Sequence, residues 1–255
     1  MHEPRAEHLT HSRVAAQVAA EVAATTRLLV MEGILDYSGH IAARVPDCDA
    51  FLIQPRDHSR AEVTPESLLL VGYDGKVLAG TGRPPSETPL HIAILKARPD
   101  VQAVLHCHME LAIAFTMMDG VQLKPMRARA VRWESGIPTH PDPSHIKLNA
   151  QAEALARTLG PHHAVLMRAH GLTLVAESVP ALLVDAVHFR ENATALMQVL
   201  QAGKKPLPLT EAELEQINRH ETRPAHIDKL WNYYVRKGLA AEVLTESPTL
   251  LSSPS

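Results

Sequence analysis

Two histidines that flank a cysteine are the first side chains in this sequence able to bind a metal ion. His106, Cys107 and His108 follow the β-forming segment VQAVL. Residues two apart on a strand project from the same face, so both imidazoles would point together while Cys107 faces the core. Two imidazoles at a strand end can bind one divalent cation. The same spacing is also compatible with two ordinary polar residues at the end of a strand.

A third histidine lies between two apolar segments. His170-Gly171 separates HHAVLMRA from LTLVAES, which predicts two short strands about a turn. We expect Gly171 to let the backbone bend there. On its own, His170 is equally compatible with a solvent-exposed turn residue.

One carboxylate precedes these histidines at a predicted helix start. Glu87 follows RPPS and begins the segment ETPLHIAILKARP. A carboxylate at a helix N-terminus is favoured by the helix dipole and by free N–H groups, so a helix-start acid is the simplest interpretation of Glu87 alone. Beside a metal ion it would be a fourth ligand or a proton carrier. His91, one turn later, is either a neighbour of that site or a helix-surface residue.

Composition excludes several other classes of function. The chain has 255 residues, 45% of them hydrophobic and only 4% aromatic, with a net charge of −3 and 16 histidines. No strong positive field exists to bind nucleic acid or an acidic membrane. The N-terminal segment MHEPRAEHLTHS lacks the apolar stretch of a signal peptide, and we expect no membrane-spanning helix. Two cysteines make no disulfide framework, so a cytoplasmic location is the default expectation.

The order of elements predicts an α/β protein. We expect helices over 13–33, 87–99, 110–118, 148–160 and 179–203, followed by helices within 210–238 that break at Pro224. We expect a short strand after a turn at Ser38-Gly39, and strands over 51–55, 67–80 (with a hairpin at Asp74-Gly75) and 101–108 and within 162–178. The segment over 81–86 reads as a loop, and 121–147 as irregular structure. This predicts a single main domain over 10–205, a helical extension over 206–240 and a loose tail over 241–255.

The motifs together resemble those of one known family over nearly the whole main domain. The residues that carry the resemblance are Ser38, Gly39 and Arg44 in SGHIAAR, Pro65 in VTPESLLLV, Asp74-Gly75, Ser86, Glu87 and Pro89 in PSETPLH, Arg98-Pro99-Asp100, Val104, His106 and His108 in AVLHCH, and His170-Gly171. With them the sequence resembles the class II aldolase/adducin family.

That resemblance implies a fold, a cofactor and an assembly. The implied fold is a three-layer α/β/α sandwich around a mostly antiparallel sheet. The implied cofactor is one divalent ion per subunit, zinc or else manganese, iron or cobalt, bound by His106, His108 and His170. Glu87 would bind the ion or move a proton. A homotetramer with active sites between subunits is implied as well.

Two positions depart from the sugar-phosphate aldolases of this family. Those enzymes read G-N-[IL]-S in the first loop and S-S-E before the catalytic acid, whereas here His40 replaces the Asn and Pro85 replaces the first Ser. Proline offers neither an N–H nor a hydroxyl to a phosphate. We therefore expect a non-phosphorylated substrate, with His40 either binding an anion such as a carboxylate or hydrogen-bonded within its loop.

Further residues are candidates for substrate contacts. The expected substrate-binding residues are Ser38, Gly39, His40, Ser86 and Arg127, the last from a basic cluster with Arg129 and Arg132. By resemblance, Tyr234 or Tyr233 would supply a catalytic phenol from a neighbouring subunit, although helix packing is the alternative. The histidines that we expect not to bind metal are His140, His145, His162, His163 and His188.

The SGH loop, the PSE motif and the C-terminal WNYY segment resemble a branch of the family with decarboxylases of aromatic catabolism. The leading hypothesis is a metal-dependent decarboxylase of a hydroxylated aromatic or ring-opened carboxylic acid. Alternatives are an aldolase for a hydroxy-keto acid or sugar (phosphate), an iron-dependent oxygenase acting on a prenylated hydroxyphenylpyruvate, and a non-catalytic adducin-like module.

Overall fold

A computed structural model describes residues 13–220 and 222–248, with the backbone alone at His220. The polar N-terminal segment over 1–12 and the last residues of the predicted tail, 249–255, lie outside this range. The rest of the chain is built around one sheet, as the resemblance implies.

Eight strands form that sheet in the order β4-β3-β2-β1-β5-β8-β7-β6. The strands are β1 (His40–Arg44), β2 (Ala50–Ile53), β3 (Leu69–Gly72), β4 (Val77–Ala79), β5 (Ala103–Cys107), β6 (Thr139–His140), β7 (Ala164–Met167) and β8 (Gly171–Ala176). All neighbours are antiparallel except β6 and β7. The sheet is therefore mostly antiparallel, which confirms the predicted fold class.

Within the described residues, seven α-helices surround the sheet. They are α1 (Arg13–Met31), α2 (Thr88–Ala97), α3 (Glu110–Phe115), α4 (Asn149–Leu159), α5 (Val179–Gln201), α6 (Glu211–His220) and α7 (Arg223–Ala240). Two short 3-10 helices, Pro65–Ser67 and Ala128–Trp133, complete the described elements. Ser178 begins α5 by accepting a hydrogen bond from the Ala181 N–H, and Pro224 stands in the first turn of α7, where the missing N–H does no harm.

The two faces of the sheet bury different helices, and β5 shows how. Ala103, Leu105 and Cys107 face a core that contains α1, α5 and α7. Val104 faces a second core that contains α2 and α4. Because side chains alternate along a strand, His106 lies on the α2/α4 face and Cys107 on the other, as the H-x-H spacing predicts.

The prediction that no helix is apolar enough to cross a membrane was wrong for α1. Arg13–Met31 passes that test by length and composition, although 44% of its apolar window is buried inside the protein. Ala-rich helices with small side chains pack closely against neighbours. Since Val22, Leu28 and Leu29 are fully buried, α1 lies in this protein as the core helix of a globular domain does.

The C-terminal extension shares the main core. Ile227, Trp231 and Val235 of α7 pack in the same cluster as α1 and α5. The tail differs from the prediction over 241–248, because Leu244 is 6% exposed and its N–H donates to the Gly238 carbonyl. The main domain and its extension therefore form one packed body.

Candidate metal centre

Three neighbouring strands position the first ligand, His106. In the antiparallel register His106 of β5 pairs with His40 of β1 on one side and with Thr173 of β8 on the other. His106 is fully buried, and its Nδ1 lies 3.4 Å from the Thr173 hydroxyl oxygen. This contact leaves Nε2 facing the centre of the site.

A relay of hydrogen bonds orients His108. The backbone N–H and the hydroxyl of Ser38 both donate to Asp36 Oδ1, at 2.7 and 2.9 Å. The Ser38 oxygen also lies 2.8 Å from His108 Nδ1. Because the hydroxyl has a single hydrogen, His108 Nδ1–H is the donor in that contact, and Nε2 keeps its lone pair. Such outer contacts commonly fix the tautomer of a metal-ligating histidine.

The β7–β8 hairpin presents His170, although not by the bend that we expected at Gly171. The left-handed residue of the turn is Ala169, with φ 52°, whereas Gly171 needs no positive φ. A Cβ at Gly171 would lie 2.8 Å from the Cys107 carbonyl oxygen and 3.0 Å from His106 Cε1. Glycine is therefore required at Gly171 because two strands approach closely beside the histidines.

Glu87 is the N-cap residue of α2, yet its side chain makes no capping hydrogen bond. Its carboxylate turns into the site instead, where Oε1 accepts a hydrogen bond of 2.8 Å from the Ile146 N–H. Oε2 lies 3.3 Å from His106 Nε2, and Oε1 lies 3.5 Å from His170 Nε2. The simple interpretation of Glu87 as a helix-start acid was therefore wrong.

The four predicted ligands form one cluster that fits a divalent cation. One donor atom from each of Glu87, His106, His108 and His170 lies within 4.8 Å of all the others. His106 Nε2 and both ring nitrogens of His170 are buried without a hydrogen-bond partner. Leaving a buried polar atom unsatisfied costs about 1–3 kcal/mol. Imidazole nitrogens with a carboxylate are ligands that suit zinc, iron, manganese or cobalt.

Electrostatics keep these groups in the form that binds metal. Burial would raise the pKa of Glu87, but the imidazoles of His106 and His170 outweigh it and hold that pKa well below its usual range. Burial, with the neighbouring His106 and His170, lowers the pKa of His108 to about 4. At neutral pH the carboxylate is ionised and His108 is neutral, which is the state that a metal requires.

Two buried histidines stand behind the cluster. His40 Nδ1 lies 2.6 Å from His91 Nε2, and the His40 ring lies 5.3 Å from the His106 ring. Burial lowers the pKa of His91 to about 3, and burial followed by His91 and His106 lowers the pKa of His40 well below its usual range. His91 is therefore a neighbour of the site and not a helix-surface residue.

One residue at the edge of this site was not predicted from any sequence motif. His145 was expected only as a histidine that does not bind metal, but its Nδ1 lies 3.8 Å from Glu87 Oε2 and its ring lies 5.0 Å from the His170 ring. Its side chain is 65% exposed. The segment that contains His145 also supplies the Ile146 N–H to Glu87, so spatial proximity alone reveals it.

The remaining predicted site residues divide between those near the cluster and those far from it. Gly39 packs against His106, since a Cβ there would lie 2.9 Å from the His106 carbonyl oxygen, and Ser86 is exposed beside Glu87. Arg127 forms an ion pair of 3.0 Å with Glu191 of α5, on the opposite side of the sheet from the cluster. Its role in substrate binding stays a prediction.

Neither C-terminal tyrosine reaches the cluster of its own chain. Tyr234 is 9% exposed within the α1/α5/α7 core, and burial followed by Glu32 raises its pKa to about 12. Tyr233 is 58% exposed. A phenol supplied to a neighbouring subunit stays a prediction for either residue.

Four other histidines have partners elsewhere in the chain. His140 contacts Thr158, His162 contacts Ser135, His163 contacts Arg132, and His188 contacts both Glu191 and His226. The expectation that these four histidines do not bind the metal stays a prediction.

Comparisons with known proteins agree with this geometry. Residues 20–197 match the model of the family described as Class II Aldolase and Adducin N-terminal domain. The chain is 31% identical over 219 residues to a 3,4-dihydroxyphthalate decarboxylase of Rhodococcus jostii, covering 81% of this chain and 87% of that protein.

Two solved structures have a similar fold. An aldolase II superfamily protein from Pseudomonas syringae superposes with a TM-score of 0.79 at 22% identity, covering 93% of this chain and 97% of that one. An L-fuculose 1-phosphate aldolase from Glaciozyma antarctica superposes with a TM-score of 0.77 at 19% identity, covering 88% of this chain and 91% of that one.

Proposed function

This chain belongs to the class II aldolase and adducin N-terminal domain family, and from that membership we propose that it decarboxylates a non-phosphorylated, hydroxylated aromatic or ring-opened carboxylic acid. At the coarser level it is a metal-dependent lyase, consistent with its family and its decarboxylase relatives. None of the relatives reported above gives support to an oxygenase.

A single observation carries the proposal: four potential ligands meet in one place with buried nitrogens unpartnered. A non-catalytic module that only needed the fold could satisfy those nitrogens with protein groups or replace them with apolar side chains, as buried polar groups normally require. The retained donor set of His106, His108, His170 and Glu87 favours a working metal site.

In this proposal the three histidines bind the metal ion and Glu87 transfers the proton. When bound by the three histidines, a divalent cation supplies Lewis-acid stabilisation of negative charge on a substrate oxygen. The ionised Glu87 accepts a proton from a substrate hydroxyl. It then returns that proton to the carbon whose bond to the departing CO₂ has broken, so the carboxyl group is replaced by hydrogen.

The loop before Glu87 favours a carboxylate over a phosphate. Pro85 offers no N–H, and its carbonyl oxygen is already engaged by the N–H and hydroxyl of Thr88, at 3.1 and 2.6 Å. His40, in place of the expected amide side chain, is held by His91. The loop therefore lacks the N–H and the hydroxyl that its counterpart in the sugar-phosphate aldolases offers to phosphate, which supports a non-phosphorylated substrate.

We also propose the finer properties that the family suggests. These are zinc, manganese, iron or cobalt as the ion, a homotetramer with its active sites between subunits, and a cytoplasmic location. The small-molecule substrate carries a carboxylate, and neither nucleic acid nor a membrane is required.

The test is an assay of CO₂ release by metal-loaded protein on 3,4-dihydroxyphthalate and hydroxylated carboxymuconic semialdehydes. L-Fuculose 1-phosphate serves as the matched substrate for aldol cleavage. We expect CO₂ from at least one acid, released about a thousandfold more slowly by Glu87→Gln, and no aldehyde from the sugar phosphate. Aldehyde release without CO₂ from any acid would replace this proposal with the aldolase alternative.

A further inference from the structure

His145 lies at the edge of the metal cluster and makes no hydrogen bond through its side chain. Its Nδ1 lies 3.8 Å from Oε2 of the buried Glu87. Its ring meets the His170 ring nearly edge-on, with 5.0 Å between the ring centroids and 71° between the ring planes. Within residues 13–220 and 222–248, neither ring nitrogen of His145 has a hydrogen-bond partner. This exposed imidazole is therefore free to donate to the carboxylate beside it.

The backbone on both sides of His145 is held in place. Before it, the Ser144 N–H donates to Asp142 Oδ1 at 2.9 Å. After it, Ile146 is fully buried in the core that contains α2 and α4. The two N–H groups that follow Ile146 donate to Oε1 of Gln151 on α4, at 3.1 and 3.0 Å. The fold therefore sets the position of His145 beside the cluster, although its exposed side chain keeps rotational freedom.

Glu87 shares its two oxygens among four neighbours. Oε2 lies near His106 Nε2 and His145 Nδ1, at 3.3 and 3.8 Å. Oε1 accepts from the Ile146 N–H at 2.8 Å and lies 3.5 Å from His170 Nε2. A histidine nitrogen that binds a cation does so through its lone pair, so it has no hydrogen to donate. Once the Nε2 atoms of His106 and His170 bind an ion, only Ile146 and His145 remain, among the described residues, as donors to the carboxylate.

We propose that His145 is a positioning residue for Glu87. In the metal-loaded protein its Nδ1–H donates to Glu87 Oε2 and holds the carboxylate in place for proton transfer, an inference that rests on the proposed function. Rotation of the exposed imidazole needs to close the gap by only about 1 Å to reach hydrogen-bond distance. With the Ile146 N–H on Oε1 and His145 on Oε2, both oxygens are held, and each keeps a second lone pair for the substrate proton.

The choice of replacement side chain identifies the atom that acts. His145→Asn puts an amide nitrogen near the place of Nδ1, whereas His145→Gln puts one near the place of Nε2. On the acid that releases CO₂, we expect His145→Ala and His145→Gln to lower kcat by about 10- to 100-fold, as is typical when an outer contact to a functional group is lost. His145→Asn should recover most of that loss. KM and zinc content should stay near the wild-type values, because His145 binds neither the substrate nor the ion.

Lys147→Ala is the matched control. Lys147 is exposed and lies two residues along the same segment, so its replacement should leave kcat, KM and zinc content unchanged. Melting temperatures of all variants show whether the segment still packs. A raised KM with unaltered kcat in His145→Ala would make His145 a substrate contact instead. A His145→Asn variant as slow as His145→Ala would mean that Nδ1 is not the acting atom, and either result would overturn the proposal.

Diffraction from zinc-loaded wild-type crystals tests the contact without depending on decarboxylation. We expect His145 Nδ1 within about 2.7–3.2 Å of Glu87 Oε2 when zinc is bound. A separation that stays near 3.8 Å, or a His145 ring turned away from Glu87, would overturn the proposal. Absence of CO₂ release from every acid, with the contact present, would instead count against the decarboxylase proposal and not against His145 as the partner of Glu87.

Discussion

Two clusters of charged residues lie at opposite ends of β8 and differ in how completely their polar atoms are paired. At its end, Glu177 and the nearly inaccessible Asp185 are shared by two arginines, with Arg132 at 2.9 and 3.1 Å and Arg223 at 2.6 and 2.8 Å. At its start, His170 and its neighbours leave buried nitrogens without partners. The charges of the first cluster are paired within the chain, whereas the second cluster has a set of ligands that could hold a metal ion.

The two clusters should contribute to different properties of the protein. The Arg132–Glu177–Asp185–Arg223 network contains more formal charge, but every charge has a partner, so its expected contribution is to stability. The metal centre has fewer charges, and several of its imidazole nitrogens have no hydrogen-bond partner. Its expected contribution is therefore to metal binding and turnover. Substitutions in the two clusters should therefore affect different measurements.

The largest effect is expected at His108. Replacing His108 with Ala removes a predicted ligand that Ser38 and Asp36 hold in place. A bound metal ion typically stabilises the charge of a transition state by several kcal/mol. We expect activity to fall by at least about ten-thousandfold together with metal content. Steady-state assays and elemental analysis check this, and full activity with bound metal would refute the ligand role.

Glu87→Gln should separate chemistry from metal binding. The amide keeps the size of the side chain and can still accept from Ile146, but it cannot take up a proton. We expect about a thousandfold loss of kcat with metal content retained, because acid–base catalysis typically contributes 10²–10⁴-fold. Undiminished kcat would show that another group carries the proton.

Asp185→Asn tests the paired cluster. This change leaves Arg132 and Arg223 without their buried counter-charge, which should lower the free energy of unfolding by about 3 kcal/mol. Denaturant titration measures that loss, while metal content and activity per folded molecule should stay near the wild-type values. A change in kcat with unaltered stability would mean that the two ends of β8 do not differ as described.

A smaller effect is expected from Ser38→Ala. The variant breaks the relay from Asp36 to His108 without removing a ligand. Loss of such an outer contact typically weakens metal binding by about 10–100-fold. Competition with a coloured chelator gives the affinity, with Ser86→Ala as the control at an exposed serine nearby. Equal metal affinities for Ser38→Ala and wild type would show that Ser38 does not orient His108.

Much of the fold was predictable because the spacing of the apolar residues and the positions of the turn- and helix-breaking residues indicate the same elements. The alternation in AVLHC and the Asp74-Gly75 turn both gave elements that the structure contains. The break at Pro224 was predictable for the same reason. The order of strands in the sheet and the burial of Leu244 depend on contacts between distant segments, which local pattern does not encode.

The site was predictable only where residue types carry chemistry by themselves. Glu87, His106, His108 and His170 were predicted to meet, and the structure places them together. His145 was missed because its segment is irregular and only the fold brings it to Glu87.

The most direct test of the metal site is an anomalous-diffraction measurement on crystals grown with zinc or manganese. A single peak is expected about 2.0–2.2 Å from nitrogen atoms of His106, His108 and His170, with none in His108→Ala crystals. Glu87 should lie beside the ion as a ligand or near neighbour. Wild-type crystals without a peak there, or with the metal bound by other residues, would show that these three histidines are not the metal ligands.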